Sequence, residues 1–221
     1  MTGVASSQIP RNDAAVLRIA VAHLRAGGLL VYPTETSYAI GCDATNGVAV
    51  RAVFRVKERV AEKSFPLIVS SRAMAKRYVQ WNTHVERLAR QHWPGPLTLV
   101  LKMRNGPSPA GRRELEGVGH GVLASGMIAS NGTVAFRVSS HPIARALARR
   151  LGRPLVSTSA NRAGEPPCFT VLQAQQFLVH TPSREAVLFL DGGDLPEHIP
   201  STIVDCTGGA PVVIRHGAVL L

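Results

Sequence analysis

Leu155-Val156 leads into Ser157-Thr158-Ser159-Ala160-Asn161, and Gly164-Glu165-Pro166-Pro167 closes the stretch. An apolar entry and a Gly/Pro exit read as the end of a buried strand followed by a stiff loop. Three hydroxyls and a primary amide at a strand end suit phosphate or carboxylate oxygens. Small donors and backbone N–H groups can approach such oxygens without steric bulk. Taken alone, the stretch reads first as a polar turn whose hydroxyls bond their own backbone. Cations elsewhere in the chain shift that reading. Lys57, Arg59 and Lys63 lie within seven residues, Arg137 ends an apolar strand, and Arg215 sits where the last strand stops before Gly217. Each charge-assisted hydrogen bond contributes about 1.5–3 kcal/mol, so three or four converging on a triphosphate would bind it. Singly, each is an ordinary solvated charge or, for Lys57 to Arg59, a helix-end cation complementing the dipole.

Other chemistries find little to stand on. The chain has no Gly-Lys-Ser/Thr phosphate loop, no Gly-x-Ser-x-Gly elbow and no His-Glu-x-x-His helix. Gly117-x-Gly119-x-Gly121 does not complete a dinucleotide fingerprint, and the acidic residues form no evident acid–base pair. Cys42, Cys168 and Cys206 are far apart, which removes zinc ribbons and Cys-x-x-Cys redox chemistry and fits a reduced, cytoplasmic setting. No apolar run is long enough for a signal peptide or a membrane span, so no membrane partner is expected. The net charge of +11 rests on arginine, since only residues 57, 63, 76 and 102 are lysine. Arginine forks suit phosphates and planar anions, which favours a nucleotide, an RNA, or both.

The elements that must position these groups follow from periodicity. Residues 1–11 read as a loose arm and 12–221 as one domain. Asn12 or Asp13 would cap a helix to about Arg25, ended by Gly27-Gly28. Strands are expected at 28–32, 37–42, 65–69, 97–101, 133–138, 155–157, 186–190, 202–206 and 212–215. Helices are expected after Asn46 and Ser71, from Thr83 with Glu86 completing a capping box, from Pro142, and over about 171–178. Residues 104–132 lose periodicity and read as a long loop or lid. Interleaved helices and strands without strict alternation predict an α/β fold with an open, twisted, mixed sheet flanked by helices.

The motifs then match a family in order. They are Gly28 to Ala44 (GLLVYPTETSYAIGCDA), Lys57-x-Arg59-x-x-x-Lys63 followed by Pro66-Leu67-Ile68-Val69, Pro94-Gly95-Pro96-Leu97-Thr98-Leu99, Val134-Ala135-Phe136-Arg137-Val138, Ser157 to Pro167, and Pro200-Ser201-Thr202-Ile203-Val204-Asp205 with Ile214-Arg215-x-Gly217. Over roughly residues 12–219 the chain resembles the YrdC-type threonylcarbamoyl-AMP synthases. The resemblance implies a basic concave surface on a YrdC-like fold. It implies a nucleotidyltransferase that joins L-threonine, bicarbonate and ATP, releasing pyrophosphate. The product would serve threonylcarbamoyl modification of adenosine 37 in ANN-decoding tRNAs, the last transfer belonging to other proteins.

Carried over by position, Lys57 and Arg59 would be catalytic. Arg59, Lys63, Thr133, Ser159, Asn161, Pro167 and Arg215 would hold ATP. Thr36, Ser70, Arg137, Ser157 and Ser201 would hold L-threonine, with Arg137 on its carboxylate. Mg²⁺ would arrive on the ATP phosphates, with no protein metal site. The chain departs from the family pattern at Ala39-Ile40-Gly41, Val60 and His216. Two other readings stay open: a non-catalytic RNA-binding module, with tRNA the natural candidate, and a relative forming carbamoyl-adenylate.

Overall fold

A buried strand between two helical layers must be apolar on both faces, and the first strand meets that demand. The computed structural model describes residues 14–59, 64–104, 122–179 and 187–221. The arm expected at 1–11, the cap at 12 or 13, Val60, Lys63 and most of the 104–132 segment lie outside the described residues. After α1 (Ala14–Arg25), β1 (Leu29–Pro33) is buried along its whole length. Leu29 and Val31 face one core while Leu30 and Tyr32 face the other, as the two-residue strand period requires. The other strands and helices are β2 (Tyr38–Gly41), α2 (Gly47–Val56), β3 (Leu67–Ile68), α3 (Arg72–Lys76), α4 (Thr83–His92), β4 (Leu97–Lys102), β5 (Thr133–Arg137), α5 (Pro142–Leu151), β6 (Leu155–Val156), β7 (Thr158–Ser159), α6 (Val171–Val179), β8 (Val187–Phe189), β9 (Thr202–Asp205) and β10 (Val212–Arg215).

These strands form the expected open mixed α/β architecture, divided between two sheets. One has the order β7-β2-β1-β8 and the other β10-β9-β4-β5-β3-β6, and each combines parallel with antiparallel pairs. Helices α1 and α5 pack on one side with Leu30, Tyr32, Ile68 and Leu155. Helices α2, α3, α4 and α6 contribute to the larger core on the other side. Among the described residues no helix is long and apolar enough to cross a membrane.

Helix starts follow local chemistry. Asn46 caps α2 by accepting from Val48 N and Ala49 N, and Ser71 caps α3 through Met74 N. His141 caps α5, its ring accepting from Ile143 N, with Pro142 in the first turn. The capping box at Thr83 does not form. Asn82 is the cap of α4 and accepts from Val85 N. Glu86 is drawn instead to Arg72, Lys76, Arg90 and Trp81. Four charge-assisted or indole donors outcompete one backbone N–H for that carboxylate, and they hold it down to about 2.

The stretch from Leu155 to Ser159 joins the sheets. β6 pairs with β3 in the larger sheet and, two residues on, β7 pairs with β2 in the smaller one. Ser157, expected to close a single strand, is the crossing point, with its N–H on Pro66 O at 2.9 Å. β2 therefore passes very close to β6. A Cβ placed on Gly41 would lie 1.7 Å from Val156 O, so only glycine allows the crossing. Gly41→Ala is expected to cost more than about 3 kcal/mol in denaturant unfolding, or to prevent folding. Gly209→Ala, where an added Cβ meets nothing within 4 Å, should stay within about 0.5 kcal/mol of the parent. Equal unfolding midpoints for the two variants would contradict this account of the crossing.

Candidate active site

Where the two sheets meet, strand ends and loops enclose a cavity of about 340 Å³, within the ~300–1,000 Å³ range of small-ligand clefts. Its walls come from the β1–β2 loop, the start of β4, the end of β5, the β6–β7 crossing and its following loop, the segment before β9 and the end of β10. Nine of the residues expected at the site line it: Thr36, Arg59, Arg137, Ser157, Ser159, Asn161, Pro167, Ser201 and Arg215.

Three arginines reach this cavity by different routes. Arg137 ends β5 and is buried, its Nη1 donating to Thr36 Oγ1 at 3.3 Å. Arg215 ends β10 and holds Ser201 from both sides. Its Nε and Nη2 donate to Ser201 O at 3.1 and 2.6 Å, and Nη2 also reaches Ser201 Oγ at 3.0 Å. Ser201 Oγ in turn meets Thr98 Oγ1 at 3.0 Å. Partial burial and then the nearby Arg137 charge lower the Arg215 guanidinium from its usual range. Two like charges are thus held close together, a state that a bound anion would relieve. Arg59 follows α2 and lies 5.0 Å from the Phe65 ring, and partial burial lowers it as well.

Lys57, expected as a catalytic residue, is placed differently from Arg59. It does not line the cavity; it is buried behind it, 6% exposed. Its ammonium donates to Ser159 O at 2.8 Å, to Asn161 Oδ1 at 3.1 Å and to Asn161 O. An ammonium has three donors, and these acceptors use all of them. Burial, reinforced by Arg59, lowers its pKa to about 8, so it remains charged at neutral pH. The backbone explains the split between neighbours: Glu58 takes φ 48°, turning the chain sharply after the helix. That left-handed conformation costs a non-glycine residue about 1–2 kcal/mol. It separates an inward Lys57 from a cavity-facing Arg59.

The loop after β7 bonds largely to itself. Ser159 Oγ donates to Asn161 Oδ1 at 2.6 Å, and Asn161 Nδ2 donates to Glu165 O at 2.6 Å and Pro166 O at 3.2 Å. The self-bonded turn is therefore also part of the cavity wall: its hydroxyl and amide brace a shape that lines the cavity. Thr133 and Ser70 do not line it. Thr133 lies at the other end of β5 from Arg137 and bonds Asn131, while Ser70 Oγ faces Met74 Sδ at 3.8 Å. Lys63 lies outside the described residues.

The cavity also includes groups that the sequence reading did not single out. Thr34, Ser37, Thr98 and His198 line it. Glu35 sits behind Arg137, its Oε1 3.4 Å from Nη1. Thr98 and Glu35 are polar residues inside apolar or neutral stretches, a signal that was present. His198 lies in a segment without periodicity and gave none. Burial lowers His141, with the Glu35 carboxylate opposing, and its ring accepts from Ile143 N as a neutral imidazole.

Residues 22–217 match the family model of the Sua5, YciO and YrdC proteins, which carries the description "Telomere recombination". The chain is 37% identical over 198 residues to a threonylcarbamoyl-AMP synthase of Thiobacillus denitrificans, covering 85% of this chain and 89% of that protein. It is similar to the crystal structure of P. abyssi Sua5 complexed with L-threonine, with TM-score 0.78 and 29% identity, over 94% of this chain. It spans only 56% of that longer Sua5 chain. The crystal structure of E. coli YciO matches with TM-score 0.74 and 28% identity, over 94% of this chain and 92% of that one.

Lys57 and Arg59 should separate cleanly by experiment. Lys57→Ala removes three hydrogen bonds to the loop after β7, two of them buried, and should cost about 2–4 kcal/mol of stability. Arg59→Ala should leave the melting temperature unchanged while weakening pyrophosphate binding about tenfold, read by calorimetry. A Lys57→Ala protein as stable as the parent would contradict the placement of that ammonium.

Proposed function

This chain belongs to the Sua5/YciO/YrdC family, and on that premise we propose that it makes threonylcarbamoyl-AMP from L-threonine, bicarbonate and ATP. The observation that carries this reading is a single cavity holding Arg59, Arg137 and Arg215 beside a wall of hydroxyls. Two anionic ligands can be held there together. Glu165 and His198 also line the cavity, but the reaction needs no protein nucleophile.

The chemistry proceeds in two bond-forming steps. The threonine nitrogen bonds to the bicarbonate carbon, water leaves, and one proton is released to solvent. A carbamate oxygen then attacks the α-phosphorus of ATP. The bond from that phosphorus to the bridging oxygen breaks, and pyrophosphate departs with the electron pair. The carbamate is already a carboxylate-like nucleophile, so the protein's contribution is proximity and charge neutralisation.

Residue roles follow from chemical fit. Arg137 takes the threonine carboxylate, with Thr36, Ser157 and Ser201 around the amino acid. Arg59 and Arg215 neutralise phosphate charge, joined by Lys63 of the same basic motif. The loop of Ser159, Asn161 and Pro167 shapes the nucleotide side, and Lys57 holds that loop. Thr133 and Ser70 do not line the cavity and are given no direct contact in this reading. ATP enters as its Mg²⁺ complex. Among the described residues no three His, Cys, Asp or Glu side chains gather to hold a metal ion, so triphosphate oxygens and water would coordinate it. We assign the reaction to the cytoplasm, consistent with three free buried cysteines. The product would go to threonylcarbamoyl-transferring tRNA-modification proteins.

Pyrophosphate release from Mg·ATP should require threonine and bicarbonate together. Omission of either should reduce the rate at least tenfold. Release that proceeds equally without threonine would overturn this function.

A further inference from the structure

Arg137 differs from the other two cavity arginines in what stands behind it. Among the described residues, Arg59 and Arg215 make no ion pair with a carboxylate, whereas Arg137 Nη1 lies 3.4 Å from Glu35 Oε1. Both side chains are nearly out of solvent, at 8% and 13% exposure. Glu35 is itself braced. Its Oε2 accepts from Ser139 Oγ, and Ser139 Oγ accepts from His141 N at 3.1 Å. His141 is the cap of α5, so the brace ends on the positive end of a ten-residue helix. Glu35 does not line the cavity, although Thr34, Thr36 and Ser37 on either side of it do. Its Oε1 is buried and lacks a hydrogen bond of good geometry, so the contact to Arg137 is an ion pair set by charge and packing.

We propose that Glu35 is the positioning and charge-setting residue for Arg137. Braced by Ser139 and the start of α5, it holds the guanidinium so that the rest of its fork faces the cavity. It also cancels part of the Arg137 charge. The three cavity arginines then become unequal. Arg137, partly neutralised, suits a single carboxylate and offers less to a polyanion. Arg59 and Arg215, without such partners, suit phosphates. One largely shielded carboxylate thereby sorts the two substrates within a shared cavity and keeps the triphosphate and the released pyrophosphate out of the amino-acid position. The assignment of threonine to Arg137 rests on the function proposed above; the restraint of Arg137 by Glu35 does not.

The test compares the parent protein with Glu35→Gln, Glu35→Asp and Ser139→Ala, after thermal melting shows each to be folded. In Glu35→Gln the threonine affinity measured by calorimetry should fall about tenfold. Pyrophosphate should become a competitor of threonine, which it is not in the parent. Glu35→Asp should recover part of the threonine affinity, and Ser139→Ala should shift both readouts in the same direction as Glu35→Gln but less. Unchanged threonine affinity would overturn the proposal, as would equal losses for threonine and pyrophosphate, which mark a general structural effect. Hindered rotation of the Arg137 guanidinium, followed by ¹⁵N NMR, decides the positioning claim without any substrate. The parent should show slow rotation and Glu35→Gln fast rotation; equal rates would overturn it. If the parent binds no threonine, the proposed function falls, and the NMR comparison still judges Glu35.

Discussion

A buried ammonium with all three of its protons committed is the constraint on which the site depends. Lys57 reaches from the end of α2 to the backbone oxygens of Ser159 and Asn161 and to the Asn161 side chain. Burying a lysine is costly unless its donors are met. Here they are met by the segment that must be held in shape. The same loop follows directly on the crossing at Ser157, where the chain leaves one sheet for the other. Lys57 thereby fixes the seam of the molecule from behind, and the cavity lies in front of that seam. The ~2–4 kcal/mol tied up in those contacts is a substantial share of the ~5–15 kcal/mol that keeps a domain folded.

Charge is distributed in layers around this seam. Lys57 and Glu35 form a hidden layer that is paired inside the protein. Arg59, Arg137 and Arg215 form a second layer open to the cavity, and the hydroxyls of Thr36, Ser157 and Ser201 complete the neutral wall between them. Arg215 and Arg137 repel each other, and Ser201, Thr36 and Glu35 hold them in place despite that repulsion. Such a site is arranged for anions before any arrives. Little reorganisation is then required at the moment of reaction, which is where fixed dipoles and charges are most effective.

Much of this was legible in the sequence because it is local. The apolar run of β1, the Asn46 cap, the His141-Pro142 helix start and the Gly-Pro closure of the seam each depend on neighbours a few residues away. The ordered motifs brought nine cavity residues to light. What escaped depends on distant partners or on a single dihedral. Lys57 and Arg59 are two residues apart with the same charge, and only the left-handed Glu58 sends them to different places. Glu35 acquires its meaning from Arg137 and Ser139, about a hundred residues on. Glu86 had the right spacing for a capping box, but Asn82 offered the cap one residue earlier and four donors claimed the carboxylate. Sequence spacing states which bonds are possible; packing decides which one is made.

The central claim is that amino acid and nucleotide share one cavity at the seam between the sheets. A crystal structure of the protein with L-threonine and a non-hydrolysable Mg·ATP analogue tests it most directly. The expected result places the threonine carboxylate on Arg137, the phosphates on Arg59 and Arg215, and the threonine nitrogen facing the α-phosphate across the Ser157 wall. Threonine and nucleotide found in separate cavities, or phosphates seated on Arg137, would contradict it.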